Sequence, residues 1–409
     1  MATDDRPEHP DTASVGRGYD PVRHLGSLKP PIYETSTFVF ATAEEGKRFF
    51  EVTYGLDEAR DDEELGYIYS RLDSPNLMPA EERLAFWEEA EEALLFNSGM
   101  AAVTTVFLTF LRPGDTLLYG SPIYGGTATL CNGLLPELGI DTVPFRSDAS
   151  LDDIESLLDG ASPAMIYIET PANPTNDIFD IEIAAVLADR HEARLVVDNT
   201  FLSPVWQKPL VHGADISLHS ATKYLGGHSD LTAGAVSGGR DDIGALRHMR
   251  YKIGTTASPS TAWLVARSLE TLRLRVEQQT ANATRVAEFL AGQEKVSAVN
   301  HLSRLEPGDP RHDIYQRQCL GPGAMISFEV RGGEAGAFRF LNAMQLVHLT
   351  VSLGGTESLA SHPWSMSHIR VPEDEKLAIG VTPGLIRFSV GIEHADDLIV
   401  DLDRALAAI

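Results

Sequence analysis

The sequence predicts an α/β fold, with a large, mostly parallel sheet followed by a smaller C-terminal α+β domain. Three observations lead there. Between Ser98 and Asp230, short apolar runs ending in polar clusters alternate with longer amphipathic stretches, the pattern of buried parallel strands joined by helices. A helical pattern from about Ser260 to Leu290 is long enough to link two domains. Beyond it, strand-like AMISFEV at Ala324 and LIRFSVGI at Leu385 precede a closing helix, ADDLIVDLDRALAAI, an order that suits an α+β unit.

In chain order, Met1 to about Gly18 is rich in Asp, Pro, Ser and Arg and reads as a flexible tail before an ordered arm containing LKPPIYETSTFVF. The acidic stretch from Gly55 to Gly66 reads as a solvated surface loop. From Glu81 to Leu95, EERLAFWEEAEEALL places Leu84, Trp87, Ala90 and Leu94 at helical spacing, which predicts an amphipathic helix with Trp87 in the core. Strands are expected at LLYG (Leu117), AMIYIET (Ala164), ARLVVDNT (Ala193) and ADISLHS (Ala214), with helices at SLDDIESLLDG and IEIAAVLADRH between them. Ligands of such sheets bind beyond the carboxyl ends of the strands, so Glu169-Thr170, Asp198-Asn199-Thr200 and His219-Ser220 are expected to converge on one crevice.

With 409 residues, 43% of them hydrophobic, the chain can bury a large core, which excludes a peptide, a disulfide scaffold or a disordered chain. Lys and Arg total 33 against 59 Asp and Glu, a net charge of −26. This argues against a nucleic-acid or membrane-surface partner and suits either colloidal solubility or a high-salt solvent. Cys131 and Cys319 stand far apart without a Cys-x-x-Cys, so neither a disulfide framework nor a metal site is expected, and a reducing, cytoplasmic location fits. The acidic N-terminus lacks a signal-peptide core, and no run approaches the ~20 apolar residues of a membrane helix.

The most informative stretch is SLHSATKYLGGHSDLTAGAV, Ser217 to Val236. Lys223 follows a strand end and is either an ordinary surface lysine or, buried among polar groups, one that can lose its proton and attack carbonyls. The hydroxyls of Ser220 and Thr222 suit a phosphate, and a Schiff-base lysine beside a phosphate site describes pyridoxal phosphate. Ser98, ahead of Gly99, Met100 and an apolar helical run, is a natural N-cap. That helix start either binds phosphate through its free N–H groups or is an ordinary capped helix. Asp198, ending LVVD, either partners a protonated pyridine nitrogen or satisfies its own turn through Asn199 and Thr200. His219, His228 and His362 show no metal spacing and are given no role.

Together with these, YSR at Tyr69, NSGMAA at Asn97, YGGT at Tyr124, ETPANP at Glu169, VVDNT at Val196, HSATKYLGGHSD at His219, VSLGGTESLASHP at Val351 and LIRFSVGIE at Leu385 occur in one order. The chain thereby resembles the Cys/Met-metabolism family of pyridoxal-phosphate enzymes, from GYDP at Gly18 to SVGIE at Ser389. That family includes cystathionine γ-synthase, cystathionine γ-lyase, methionine γ-lyase and homoserine-ester sulfhydrylases. The resemblance implies a type I aminotransferase-like fold. Its parts are a tail and arm (1–66) that contact a neighbouring subunit, a cofactor domain (67–265) and a C-terminal domain (266–409).

Residue by residue, the resemblance makes Lys223 the Schiff-base lysine, Asp198 the carboxylate on the pyridine nitrogen and Asn173 the amide near the phenolic oxygen. Ser98, Gly99, Met100, Ser220 and Thr222 become the phosphate cradle. Tyr124 stacks on the ring and serves as acid, Arg387 holds the substrate carboxylate beside Ser352 and Val351, and Tyr69 and Arg71 reach the cofactor of the neighbouring subunit in a homotetramer. Arginine's fork and tyrosine's flat face suit those tasks.

One departure from the family pattern follows YSR: Ser74-Pro75-Asn76 replaces the usual Asn-Pro-Thr. Val351 stands where cystathionine lyases tend to carry an acid, so an apolar thioether is favoured. ETPANP and HSATKYL look closest to methionine γ-lyase, whereas Gly126 stands where those enzymes typically carry a cysteine. The expected reaction is α,γ-elimination on a sulfur amino acid, with L-methionine in the lead. The alternatives are cystathionine γ-lyase or a γ-replacement transferase, either cystathionine γ-synthase or an O-acyl-homoserine sulfhydrylase. A nucleotide-binding dehydrogenase would need a Gly-x-Gly-x-x-Gly or a P-loop, and neither occurs; a non-catalytic protein on the same fold would not need Lys223, Asp198, Tyr124 and Arg387 together.

Overall fold

The computed structural model describes residues 9–60, 63 and 65–409. Seven strands form the larger sheet: β1 (Glu92–Phe96), β2 (Thr116–Gly120), β3 (Asp141–Phe145), β4 (Pro163–Glu169), β5 (Arg194–Asp198), β6 (Ile216–His219) and β7 (Gly234–Gly238), in the order β1-β7-β6-β5-β4-β2-β3. From β2 to β6 the pairing is parallel, while β7 runs antiparallel to both β6 and β1. The reason is local, because β7 returns from β6 through the loop that carries Lys223, with no helical crossover.

Successive strand residues face opposite sides and both sides are covered, hence the continuous apolar runs. Tyr167, Val196 and Leu218 pack with Val103, Val106 and Phe107 of the helix Gly99–Phe110. Ile168 and Val197 pack on the other side with Ile154, Ile181 and Leu187, from the helices Leu151–Leu158 and Ile181–His191. The expected strands and helices of this region are all present; β1, β3 and β7 are additional to them.

Five strands make the second sheet: β8 (Val296–Asn300), β9 (Met325–Val330), β10 (His348–Leu349), β11 (Leu359–Ser361) and β12 (Leu385–Ser389), in the order β10-β11-β12-β9-β8. Ile326, Phe328, Ile386 and Phe388 share one core with Val286, Leu290, Phe340, Leu398 and Leu402 from three helices. Among the described residues no helix is long and apolar enough to cross a membrane.

Several expectations need correction. The pattern Glu81–Leu95 is not one helix: the helix Leu77–Glu88 ends at Glu89 in a left-handed conformation, and the next apolar residues become β1. A run of buried apolar residues satisfies either period, and pairing with β7 settles it. Trp87 is in the core as expected. The pattern Ser260–Leu290 is two helices, Pro259–Leu269 and Leu272–Ala291, broken at Thr271. Arg275 occupies the break, donating to the Ser268 carbonyl (2.9 Å), the Thr271 hydroxyl (3.3 Å) and the Tyr224 carbonyl (2.9 Å). Gly227, at φ +66°, has no side chain where this guanidinium passes.

The N-terminal segment is not a loose tail over its described part. Pro10–Gly16 is a helix whose buried Ser14 accepts a hydrogen bond from the Trp87 indole (2.6 Å), and Arg83 donates to the Arg17 carbonyl (3.1 Å). Of the acidic stretch, Asp61, Asp62 and Glu64 lie outside the described residues. Residues 55–60 are exposed as expected, yet Arg48 gathers the stretch by a two-pronged bond to Glu63 and a third to Asp57.

The departing triplet has a structural use. Asn76 is buried, its Oδ1 accepting from the Tyr33 N–H and its Nδ2 donating to the Pro31 carbonyl, both at 2.8 Å, which fastens the arm to the helix start. Replacing Asn76 by Ala strands both backbone groups and is expected to cost about 1–3 kcal/mol. Chemical denaturation measures that loss, and hydrogen exchange should rise first at Tyr33.

Candidate active site

At the carboxyl ends of the parallel strands, Glu169 of β4 and Asp198 of β5 stand side by side in register, and His219 ends the neighbouring β6. Asp198 is buried and accepts from the Tyr167 hydroxyl (3.1 Å), the Thr200 N–H (3.0 Å) and the Thr200 hydroxyl (2.5 Å). Burial nonetheless pushes its carboxyl upward, so it is a site for a buried cationic partner. The Thr200 hydroxyl also accepts from the Ser220 N–H (2.8 Å), linking β5 to the turn that carries Lys223.

Ser98 caps the helix Gly99–Phe110, its Oγ accepting from the Ala101 N–H at 3.1 Å. A Cβ on Gly99 would lie 2.8 Å from the Ser220 Cβ and 2.9 Å from its Oγ. The positive end of the helix therefore abuts the Ser220–Thr222 turn, a place built for an anion. Thr222 locks that turn to Ala233, its hydroxyl donating to the carbonyl (3.2 Å) and accepting from the N–H (3.0 Å).

Lys223 Nζ donates to Ser352 Oγ at 2.7 Å. Burial, and after it the charge of Arg387, pulls the amine down to about 8, so about a tenth of it is neutral and nucleophilic at pH 7, far more than of an ordinary lysine. Ser352 itself sits at φ +88°, a conformation rarely held without glycine. It is held there by Arg387, whose Nη2 donates to its carbonyl at 2.9 Å. Arg387, in β12 and 7% exposed, sends Nη1 to Asn173 Oδ1 at 3.0 Å, and its buried Nε has no hydrogen-bond partner among the described residues. Burial lowers this guanidinium to about 10. That is the signature of a cation set in the interior for an anionic ligand.

Glu169 accepts two backbone N–H groups, from Tyr124 and Asn173, each at 2.8 Å. Tyr124 is 47% exposed. Its ring covers Gly126, where a Cβ would lie 2.6 Å from Tyr124 Cε1 and 2.8 Å from Met100 Sδ. Val351, 57% exposed, immediately precedes Ser352 at the rim. Lys223, Asp198, Asn173, Ser220, Thr222, Gly99, Met100, Tyr124, Arg387 and Ser352 are thus linked through one continuous set of contacts.

Tyr69 and Arg71 stand outside it. Arg71 lies 5.5 Å from the centre of the Tyr69 ring and donates to the Tyr251 carbonyl at 2.6 Å, and both side chains are exposed. The histidines behave as structural groups: His219 pairs with buried Glu88, His228 meets the Gly226 carbonyl, and His362 meets Ser365 and the Pro383 carbonyl. The sequence motifs assign Glu169 no task, although its place at a strand end beside Asp198 is visible in them. The backbone of Ser352 leaves no signal in the sequence.

A lysine lowered by burial, a buried carboxylate in want of a cation and a helix N-terminus that only glycine lets near Ser220 all fit pyridoxal phosphate. Fold and site together define a type I pyridoxal-phosphate enzyme. The chain belongs to the Cys/Met metabolism PLP-dependent enzyme family, whose model matches residues 11–407. Over 404 residues it is 40% identical to an L-methionine gamma-lyase of Pseudomonas putida, covering 97% of each chain. To a cystathionine gamma-lyase of Bacillus subtilis it is 37% identical, over 94% of this chain and 95% of that one. The crystal structure of cystathionine gamma synthase from Xanthomonas oryzae pv. oryzae in complex with aminoacrylate and cysteine matches with a TM-score of 0.88 at 36% identity, over 98% and 99% of the two chains. The protein is therefore a pyridoxal-phosphate enzyme of sulfur amino acids, a carbon–sulfur lyase or γ-synthase.

Two outcomes follow for the apoenzyme. Because the Lys223 amine is lowered to about 8, its neutral form appears above that pH. Covalent capture of added pyridoxal phosphate, followed by visible absorbance, should then accelerate as pH rises through about 8 and level off; a rise centred near the ordinary lysine value of about 10.4 would contradict the burial argument. Gly99→Ala forces its Cβ against Ser220 and is expected to weaken cofactor affinity about tenfold or more, read by equilibrium dialysis.

Proposed function

We propose that the enzyme catalyses α,γ-elimination, converting L-methionine and water to methanethiol, 2-oxobutyrate and ammonia. Pyridoxal phosphate, when bound, supplies the electron sink that lets protons leave Cα and then Cβ. Lys223, freed as a neutral amine, takes the Cα proton, a step its lowered pKa suits. Tyr124 gives its hydroxyl proton to the departing thiol from the exposed side of the site. Arg387 holds the substrate carboxylate with its fork, oriented by Asn173 and Ser352. Asp198 keeps the pyridine nitrogen protonated, while Ser98, Gly99, Met100, Ser220 and Thr222 hold the phosphate.

The observation that carries the choice of substrate is Val351: an apolar, accessible side chain directly before the serine that bonds Lys223. It suits the methyl end of a thioether and offers nothing to the distal ammonium of cystathionine. Gly126 favours the second reading, cystathionine γ-lyase or a γ-replacement transferase, because the Tyr124 ring and Met100 fill the space a cysteine there would need.

Residues 1–66 are proposed to contact a neighbouring subunit, with 67–265 as the cofactor domain and 266–409 as the C-terminal domain, in a cytoplasmic homotetramer. Exposed Tyr69 and Arg71 would complete the partner's site. If so, Lys223→Ala and Arg71→Ala enzymes, each inactive, should regain about a quarter of wild-type activity when dissociated, mixed and reassembled.

The deciding experiment measures 2-oxobutyrate from purified enzyme given L-methionine, L-cystathionine, or O-acetylhomoserine with and without cysteine. Fastest release from L-methionine, unaffected by cysteine, is the expected result. Thioether formation from the homoserine ester and cysteine, without keto acid from methionine, would move the assignment to a γ-replacement transferase. Val351→Glu is expected to shift the preference toward cystathionine by about tenfold.

A further inference from the structure

Glu169 is buried at the end of β4, next to Asp198, with only 3% of its surface exposed. Two carboxylates side by side in the interior are costly, and both are pushed upward by burial. No ion pair compensates Glu169 among the described residues. Its partners are two backbone N–H groups, one on Tyr124 and one on Asn173, each at 2.8 Å. These groups belong to different loops, one following β2 and one following β4. Asn173 is in turn bonded to Arg387 at 3.0 Å.

We infer that Glu169 is a positioning residue for the reaction, setting the spacing between Tyr124 and Asn173, the two residues that would contact the bound cofactor. Among side chains of this length only a carboxylate accepts from two N–H donors with two oxygens; glutamine would turn an NH₂ donor toward one of them. Tyr124 needs the clamp because its ring is half exposed and its backbone opens the short helix Gly125–Thr129 without a side-chain cap. Asn173 needs it because its amide must stay where Arg387 also finds it. The inference rests on the roles proposed above for Tyr124 and Asn173.

The test compares holoenzymes carrying Glu169→Gln, Glu169→Asp, Tyr124→Phe and the double change Tyr124→Phe/Glu169→Gln. Pyridoxal phosphate is achiral, so the visible circular dichroism of the bound cofactor reports the asymmetry imposed by its surroundings. Both Glu169 variants are expected to bind cofactor, to lose much of that band, and to show kcat reduced about 10- to 100-fold with L-methionine or with O-acetylhomoserine plus cysteine, whichever is turned over. Aspartate keeps two acceptors but is one methylene too short to reach both loops, so it reports even if the glutamine variant fails to fold. The double variant should fall short of the product of the two single reductions, because part of the clamp's effect runs through the Tyr124 hydroxyl.

A band and a kcat unchanged in both Glu169 variants, or reductions that multiply fully in the double variant, would overturn the inference while leaving the assignment of Tyr124 intact. An unchanged Tyr124→Phe enzyme would overturn the role of Tyr124 and this inference with it.

Discussion

Buried charges that do not pair with one another are the constraint on which this molecule turns. Asp198, Glu169, Lys223 and Arg387 are brought to one crevice, and two acids with two bases at that range would ordinarily close into ion pairs. Here each meets neutral partners instead. Lys223 bonds the Ser352 hydroxyl, Arg387 bonds the Asn173 amide and a carbonyl, Asp198 takes hydroxyls and an N–H, and Glu169 takes two N–H groups. Among the described residues neither Lys223 nor Arg387 makes an ion pair, so both stay available to a ligand that carries its own charges.

Such an arrangement is costly, and much of the surrounding structure holds it in place. Ser352 keeps a backbone conformation that costs about 1–3 kcal/mol, secured from one side by Arg387 and from the next turn by the bond from the Gly354 N–H to the Ser389 hydroxyl at 2.9 Å. The loop after β4 is sewn to the second sheet, with Asn176 donating to the Asn300 and Met325 carbonyls and Ser327 to the Pro174 carbonyl. Arg275 ties the residue after Lys223 to the break between two helices. The turn that carries Lys223 and the strand that carries Arg387 therefore come from different sheets, held in register by side-chain bonds to backbone carbonyls.

Much of this is legible in the amino-acid sequence. Parallel strands buried on both faces must read as unbroken apolar runs, and their ends announce where polar residues gather, so Glu169, Asp198 and Ser220 are expected together. Lys223 stands out because a lysine among hydroxyls and glycines does not suit a plain turn. Less legible are elements whose pattern satisfies two periods: Leu94 fits a helix begun at Glu81 as well as it fits β1, and only pairing with β7 settles it. The break at Thr271 is hidden because the residues flanking it are good helix formers, and a side chain four residues on, Arg275, stabilises the interruption. The docked N-terminal helix depends on Trp87, more than seventy residues away in the chain.

By itself, then, the amino-acid sequence determined the α/β class and the polar strand ends, because those follow from local periodicity and side-chain chemistry. Tertiary structure alone decided the rest: that Ser352 receives the Lys223 amine, that Arg387 is steadied by Asn173, and that one carboxylate, Glu169, joins two loops. The first two of those contacts span long stretches of chain, and the third reaches back from β4 to the loop after β2. Hydrogen bonds between distant residues leave no period in a sequence, since they exist only once packing has brought the two ends within about 3 Å.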